Sequence, residues 1–353
     1  MASCILYQNS DASISIIDIP SSIKFAQVSP TSSRRLLSSE PLTKPFPSVE
    51  PKSRKAKENL GETSLDTLFL SKHLQFVLEE LKAEYHGEWC LSRAVLSQSS
   101  EISLKKRKNR DFEHESDQKN AGGPASETFC SFSTDSDETG RMPPNSTVLC
   151  GEVVATRDTF ASCAPNFDLI IMDPPWPNRS ARRKKSYGIS YGSSEIRELL
   201  SSIPIGSHLS EDGTVGVWVT NKDAFKDMLL QPGGLFEEWG IVLAEEWIWL
   251  KTTLTGEPIC PLDSAWRKPY EIMLIGKRGI AHNETVKRRV LIGVPDLHSR
   301  KPNLKALFDQ RNQKRKYEAL EIFARNMTAG WWGWGNEALK FQMDTHWING
   351  EGN

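Results

Sequence analysis

Residues 168–176, Asp-Leu-Ile-Ile-Met-Asp-Pro-Pro-Trp, constrain the chain more than any other stretch. A short continuous apolar run reads as a strand covered on both faces, as in a parallel sheet flanked by helices. Two consecutive prolines cannot donate to a sheet ladder, so the strand stops there and the chain leaves it in an extended turn. Asp173 is thereby delivered to the carboxyl end of a buried strand, the edge at which open α/β sheets bind ligands. The same texture recurs after about residue 146, with strands expected at 168–172, 215–220, 242–250, 272–275, 290–293 and 320–324. Helices are expected at 195–201, 223–230 and 304–316.

The chain has 353 residues, enough for about two domains or for one large domain with poorly ordered extensions. Residues 1–60 are rich in Ser, Pro and Lys without periodicity, which predicts a disordered N-terminal extension. From Ser64, a plausible N-cap, Leu65, Leu68, Phe69, Val77, Leu78, Leu81 and Tyr85 recur at helical spacing. Residues 99–145 are charged and broken by Gly122-Gly123-Pro124 and Pro143-Pro144, so 61–145 reads as a helical segment plus a flexible insertion, and 146–345 as the main domain. No apolar run is long enough to cross a membrane, and the first forty residues lack the apolar core of a secretory signal. The six cysteines are scattered with no C-x-x-C pair, which predicts reduced thiols and no metal. With a net charge of −1, any nucleic-acid partner must be held by a local patch. Two exist: Lys105-Lys106-Arg107-Lys108 with Arg110, a nuclear-import candidate although such runs are more often solvated surface, and Arg179 with Arg182 to Lys185 just past the proline turn. The nucleus is the expected location, with the cytoplasm as alternative.

Asp-Pro-Pro-Trp suits an exocyclic amine. Such an amine is a poor nucleophile because its lone pair is conjugated with the ring, and a site that accepts both N–H hydrogens pulls nitrogen toward tetrahedral geometry. Asp173 can accept one; the carbonyl of Pro174, held rigid by Pro175, can accept the other. Trp176 would offer a flat face for the base. Taken alone, the run can equally be a strand-ending turn with a packed Trp. The apolar strand before it and the basic run after it favour the functional reading.

At these residues the chain resembles the MT-A70 family of adenine-N6 methyltransferases, from about Cys150 to Gln342. Phe323-Ala324-Arg325-Asn326 and Trp334-Gly335-Asn336-Glu337-Ala338-Leu339-Lys340-Phe341-Gln342 resemble the methyltransferase-like 4 branch in particular. The resemblance implies a Rossmann-like, permuted class I fold using S-adenosylmethionine, with the catalytic strand early and donor-binding segments near the C-terminus. No G-x-G-x-x-G follows a strand before Asp173, in agreement. It places Asp173, Lys301 (in Ser299-Arg300-Lys301-Pro302), Arg325, Asn336 and Glu337 on the donor, and Glu152 and Val153 beside the donor's adenine. Glu337 stands where better-known relatives carry an amide.

On the substrate side, Arg179, Arg182, Arg183 and Lys184 would contact phosphates, with Tyr187 or Tyr191 stacking on a base. Trp266, Lys268 and Glu271, within Ala265-Trp266-Arg267-Lys268-Pro269-Tyr270-Glu271, resemble a second family loop beside the base. Trp247 and Trp249 alternate at strand spacing and read as core. A duplex hides the target amine, so RNA ends and loops are favoured over DNA, and 2′-O-methyladenosine of small nuclear RNA is one candidate target. A monomer is the expectation, with a partner chain left open. The competing readings are a DNA N6-adenine methyltransferase, a protein amine or amide methyltransferase, and a non-catalytic nucleic-acid-binding partner.

Overall fold

The computed structural model describes residues 4–27, 34–47, 64–95, 130–133, 139–177, 192–264, 267–279, 285–312 and 316–349. Its strands in chain order are β1 (Ile5–Gln8), β2 (Ile14–Ile17), β3 (Arg34–Ser38), β4 (Ala94–Val95), β5 (Cys130–Ser133), β6 (Thr139–Met142) and β7 (Thr147–Cys150). They continue as β8 (Phe167–Met172), β9 (Leu209–Val219), β10 (Val242–Lys251), β11 (Tyr270–Lys277), β12 (Lys287–Gly293), β13 (Ala319–Ile322), β14 (Trp332–Gly335) and β15 (Trp347–Asn349).

Ten of these form one sheet in the order β1-β2-β12-β10-β11-β9-β8-β13-β14-β7. All run the same way except β11, antiparallel to both neighbours, and the edge strand β1. A mostly parallel sheet needs apolar cover on both faces, and the side chains divide with the pleat. Ile170, Met172, Val215, Val217, Ile248 and Ile272 enter one core; Leu169, Ile171, Trp218, Trp247, Trp249 and Met273 enter the other. Trp247 and Trp249 are core residues, as their alternation predicts.

The expected strands all form, mostly longer than anticipated. The helices at Ser193–Ser202 and Asp223–Leu230 match expectation, and the one expected over 304–316 is seen as Lys305–Arg311. Ser64 caps helix Leu65–Glu84, its side chain accepting from the Thr67 N–H. The face that packs is Leu70, Leu74, Val77, Leu78 and Leu81, whereas Leu65, Leu68 and Phe69 are exposed.

The disorder expected over 1–60 does not hold for the part described. Ile14, Ser15, Ile16 and Ile17 are all buried, and β2 pairs in parallel with β12 through Ile14↔Val290 and Ile16↔Ile292. Averaged over sixty residues, composition conceals one four-residue apolar strand. The division drawn at residue 146 likewise separates no independent body, because β1 and β2 belong to the main sheet. Among the described residues no helix is long and apolar enough to cross a membrane.

Candidate active site

β8 ends at Met172 and Asp173 follows immediately, at the carboxyl edge between β9 and β13. The turn that follows is tight: the Trp176 N–H donates to the Pro174 carbonyl at 2.7 Å, an i→i+2 closure. That carbonyl therefore already has one donor, contrary to the expectation that it stands free, and one lone pair remains for a substrate hydrogen. Trp176 is no open platform either. It is buried, its indole N–H donates to the Trp218 carbonyl at 2.7 Å, and its ring centroid lies 4.7 Å from that of Phe225. A large aromatic with a satisfied N–H is better placed locking the turn against the core than facing solvent.

Lys301 links the turn to β11. Its Nζ lies 2.9 Å from Asp173 Oδ2 and 2.9 Å from Glu271 Oε2, while Glu271 Oε1 accepts from Lys251. The ammonium also sits 5.4 Å from the centroid of the Trp218 ring. Burial alone would push the Glu271 carboxyl up, but Lys301 and Lys251 outweigh it and hold it down at about 2. Burial likewise opposes charge on Lys301, and Asp173 and Glu271 more than reverse it, so its pKa is raised. Among the described residues Asp173 Oδ1 makes no hydrogen bond, leaving an acceptor at the sheet edge.

Behind Asp173 opens a cleft at the carboxyl edge of the sheet. Its walls include Asp173, the loop Ser299–Leu304, and Glu321, Phe323 and Arg325 at the end of β13. Arg325 donates from Nε to Glu337 Oε2 at 3.0 Å and from Nη1 to the Ser299 carbonyl at 3.0 Å, pinning the two walls together. Ser299 and Phe323 both hold positive φ, 67° and 58°. For a residue with a Cβ this costs energy, and such strain concentrates at ligand sites. Acidic and basic groups thus line one shared space.

Of the residues expected at the site, the structure gathers Asp173, Lys301 and Glu271 into one cluster and Arg325 and Glu337 into another, the two meeting through the loop that carries Ser299 and Lys301. Pro174 and Pro175 form the turn. Glu152 and Val153 lie past the end of β7, and Asn336 past the end of the adjacent β14, joined where the Gly151 N–H donates to the Gly335 carbonyl at 3.3 Å. They extend the same edge without lining the cleft itself. Lys268 lies near the start of β11, and burial lowers its pKa. Arg179, Arg182, Arg183, Lys184, Tyr187, Tyr191 and Trp266 fall outside the described residues. Sequence reasoning missed Glu321, Arg300, Phe323 and Trp218 as lining residues. Glu321 had left a trace, a lone carboxylate within the apolar run Leu320-Glu321-Ile322-Phe323.

The MT-A70 family profile matches residues 167–337, from the start of β8 to Glu337. The chain is similar to the "N6-methyladenosine RNA methyltransferase MTA1" of Cryphonectria parasitica, 42% identical with 98% of this chain and 95% of that protein covered. It is similar to the protein of the same name in Pyricularia oryzae, 38% identical with 99% and 98% covered. Its likeness to the mouse "N(6)-adenine-specific methyltransferase METTL4" is 34% identity over 59% of this chain and 45% of that one.

Proposed function

Since the chain belongs to the MT-A70 family, we propose that it transfers the methyl group of S-adenosylmethionine to the N6 amine of an adenine in RNA. The observation that carries this reading is the placement of Asp173, with one carboxylate oxygen unengaged among the described residues, at the mouth of a cleft with charges of both signs. The RNA assignment rests on what the two fungal relatives are named for. Nuclear residence, suggested by the basic run at Lys105–Lys108, is part of the same proposal.

A sulfonium donor supplies an electrophilic methyl group, and displacement at it calls for alignment rather than for a covalent enzyme intermediate. The chain's residues provide that alignment. Asp173 Oδ1 accepts one hydrogen of the adenine amine, and the second lone pair of the Pro174 carbonyl accepts the other. Lys301 fixes Asp173 through Oδ2 and takes its own orientation from Glu271. Arg325, tied to Glu337 and Ser299, keeps the far wall in place. Because the amine must reach a sheet edge, the base enters unpaired or flipped. Pro175 keeps the turn rigid, and Trp176 acts from beneath by locking it to the core.

The test is incubation with labelled donor and matched RNA, 2′-O-methylated RNA and DNA oligonucleotides, beside Asp173→Ala. N6-methyladenine is expected from the RNA arms and is expected to vanish in the variant. Equal product from Asp173→Ala would remove the assignment, and product from DNA alone would move the substrate class.

A further inference from the structure

Around the cleft, Asp173, Glu271 and Glu337 each have a cationic partner. Glu321 has none: among the described residues it makes neither an ion pair nor a hydrogen bond. It sits within β13, opposite Ile171 of β8 and Gly333 of β14, and lines the cleft together with Ile171 and Trp218. A carboxylate in the middle of a covered strand is costly unless something answers its charge. Two charged groups act on it. Asp173, from the end of β8, is of like sign; Arg325, two residues beyond β13, opposes it but is already shared by Glu337 and the Ser299 carbonyl. Burial first, and Asp173 second, push the Glu321 carboxyl up to about 7.

Resting on the methyltransferase reading above, we propose that Glu321 is the counter-ion of the methyl donor, ionising as the donor enters and giving the cleft its preference for the sulfonium donor over the thioether product. The donor carries ammonium, sulfonium and carboxylate, a net positive charge; the product has lost the sulfonium and is neutral overall. A cation beside Glu321 favours its charged form, so binding below neutrality expels the carboxyl proton to solvent. After transfer the charge that held Glu321 ionised is gone and the proton returns, which weakens the hold on product. Such a group, perturbed and lining the ligand site, is where functional titration is expected.

Titration calorimetry with S-adenosylmethionine and with S-adenosylhomocysteine tests this, using the full chain, Glu321→Gln and His298→Gln. His298 is included as a control because it lies in the loop beside Ser299, its Nδ1 2.8 Å from Ser299 Oγ. Measurements at about pH 6 and about pH 7 stay below the pH at which an α-amine of ordinary pKa, about 7.7–8.0, loses most of its proton. For one linked group with a pKa near 7, donor affinity should rise about fivefold from the lower to the higher pH. Buffers of different ionisation enthalpy should report close to one proton released at the lower pH. Glu321→Gln should abolish both effects and weaken the donor more than the product, while His298→Gln keeps them. Donor affinity independent of pH in the native chain would overturn the inference, as would a pH dependence that survives in Glu321→Gln or disappears in His298→Gln. Equal weakening of both ligands in Glu321→Gln with an unchanged slope would show a structural role only. If the native chain bound no donor at any pH, the methyltransferase reading itself would fall.

Discussion

Lys301 carries two carboxylates on one ammonium; without it Asp173 would lose its cation and Glu271 would keep only Lys251. Lys301→Met should therefore lower stability by about 1–3 kcal/mol, less than the cost of breaking a fully buried pair because its side chain keeps some contact with water. Denaturant midpoints check this, and turnover should fall further than stability does because Asp173 loses its orientation. Glu271 adds a pH signature. Its folded pKa, about 2, lies below its ordinary value, so its contribution is present above roughly pH 4.5 and is lost as pH falls toward 2. Glu271→Gln should flatten the acid limb of the stability curve in that window and leave its slope at neutral pH unaltered; an unchanged acid limb would show that the pair contributes nothing. Asp173 was legible in the sequence because two prolines mark where a buried strand must stop, and Lys301 and Arg325 because the family resemblance covers their motifs. Trp176 misled because an aromatic next to a catalytic turn can face the ligand or the core, and only the Trp218 carbonyl decides which.

At the scale of elements, continuous apolar runs of four or five residues announced β8, β9 and β10, since both faces of those strands are covered. Several short strands escaped notice, β1 to β7, β14 and β15 among them, although the four-residue β13 was expected. β14 is Trp332-Gly333-Trp334-Gly335, which alternates aromatic with glycine and reads as a turn until parallel neighbours β13 and β7 are placed on either side. Gly335 is required there: its φ is 147°, and a Cβ would lie 3.2 Å from the Phe323 Cα. Gly335→Ala should push the end of β14 away from the cleft wall, costing about 1–3 kcal/mol of stability and weakening donor binding together. Retention of both would mean the wall adapts. β2 was lost in the composition of its surroundings, yet Ile16 is fully buried. Ile16→Ala removes a core side chain from a sheet strand and should cost about 2–5 kcal/mol, read as a shift in denaturant midpoint. A shift below about 0.5 kcal/mol would show that the edge is dispensable.

Across the whole molecule, the N-terminal segment that begins at the far edge of the sheet ends up bracing the Ser299–Leu304 wall of the cleft. Ser22 Oγ accepts from the Asn303 N–H at 2.9 Å, the Gln27 side chain donates to the Met327 carbonyl at 3.0 Å, and Arg300 Nη1 donates to the Leu37 carbonyl at 2.8 Å. At the centre is Asp296, fully buried, which accepts from the Ser39 N–H at 2.8 Å and from Arg300 at 2.6 Å, with Arg93 at 4.0 Å. Lys301 follows Arg300 directly, so this one carboxylate ties the position of the catalytic network to residues 34–39 and to the strand at Ala94. Asp296→Asn keeps the shape but leaves two buried arginines without their counter-charge. Its expected cost is about 3–5 kcal/mol, a large share of the 5–15 kcal/mol that holds a typical domain. The comparison with Ile16→Ala separates bracing from bulk stability. Both variants should unfold earlier, but at a temperature where each remains folded, Ile16→Ala should bind S-adenosylmethionine as the native chain does while Asp296→Asn binds it several-fold more weakly. Equal affinity in the two would show that the buried cluster stabilises the fold without setting the geometry of the loop that carries Lys301.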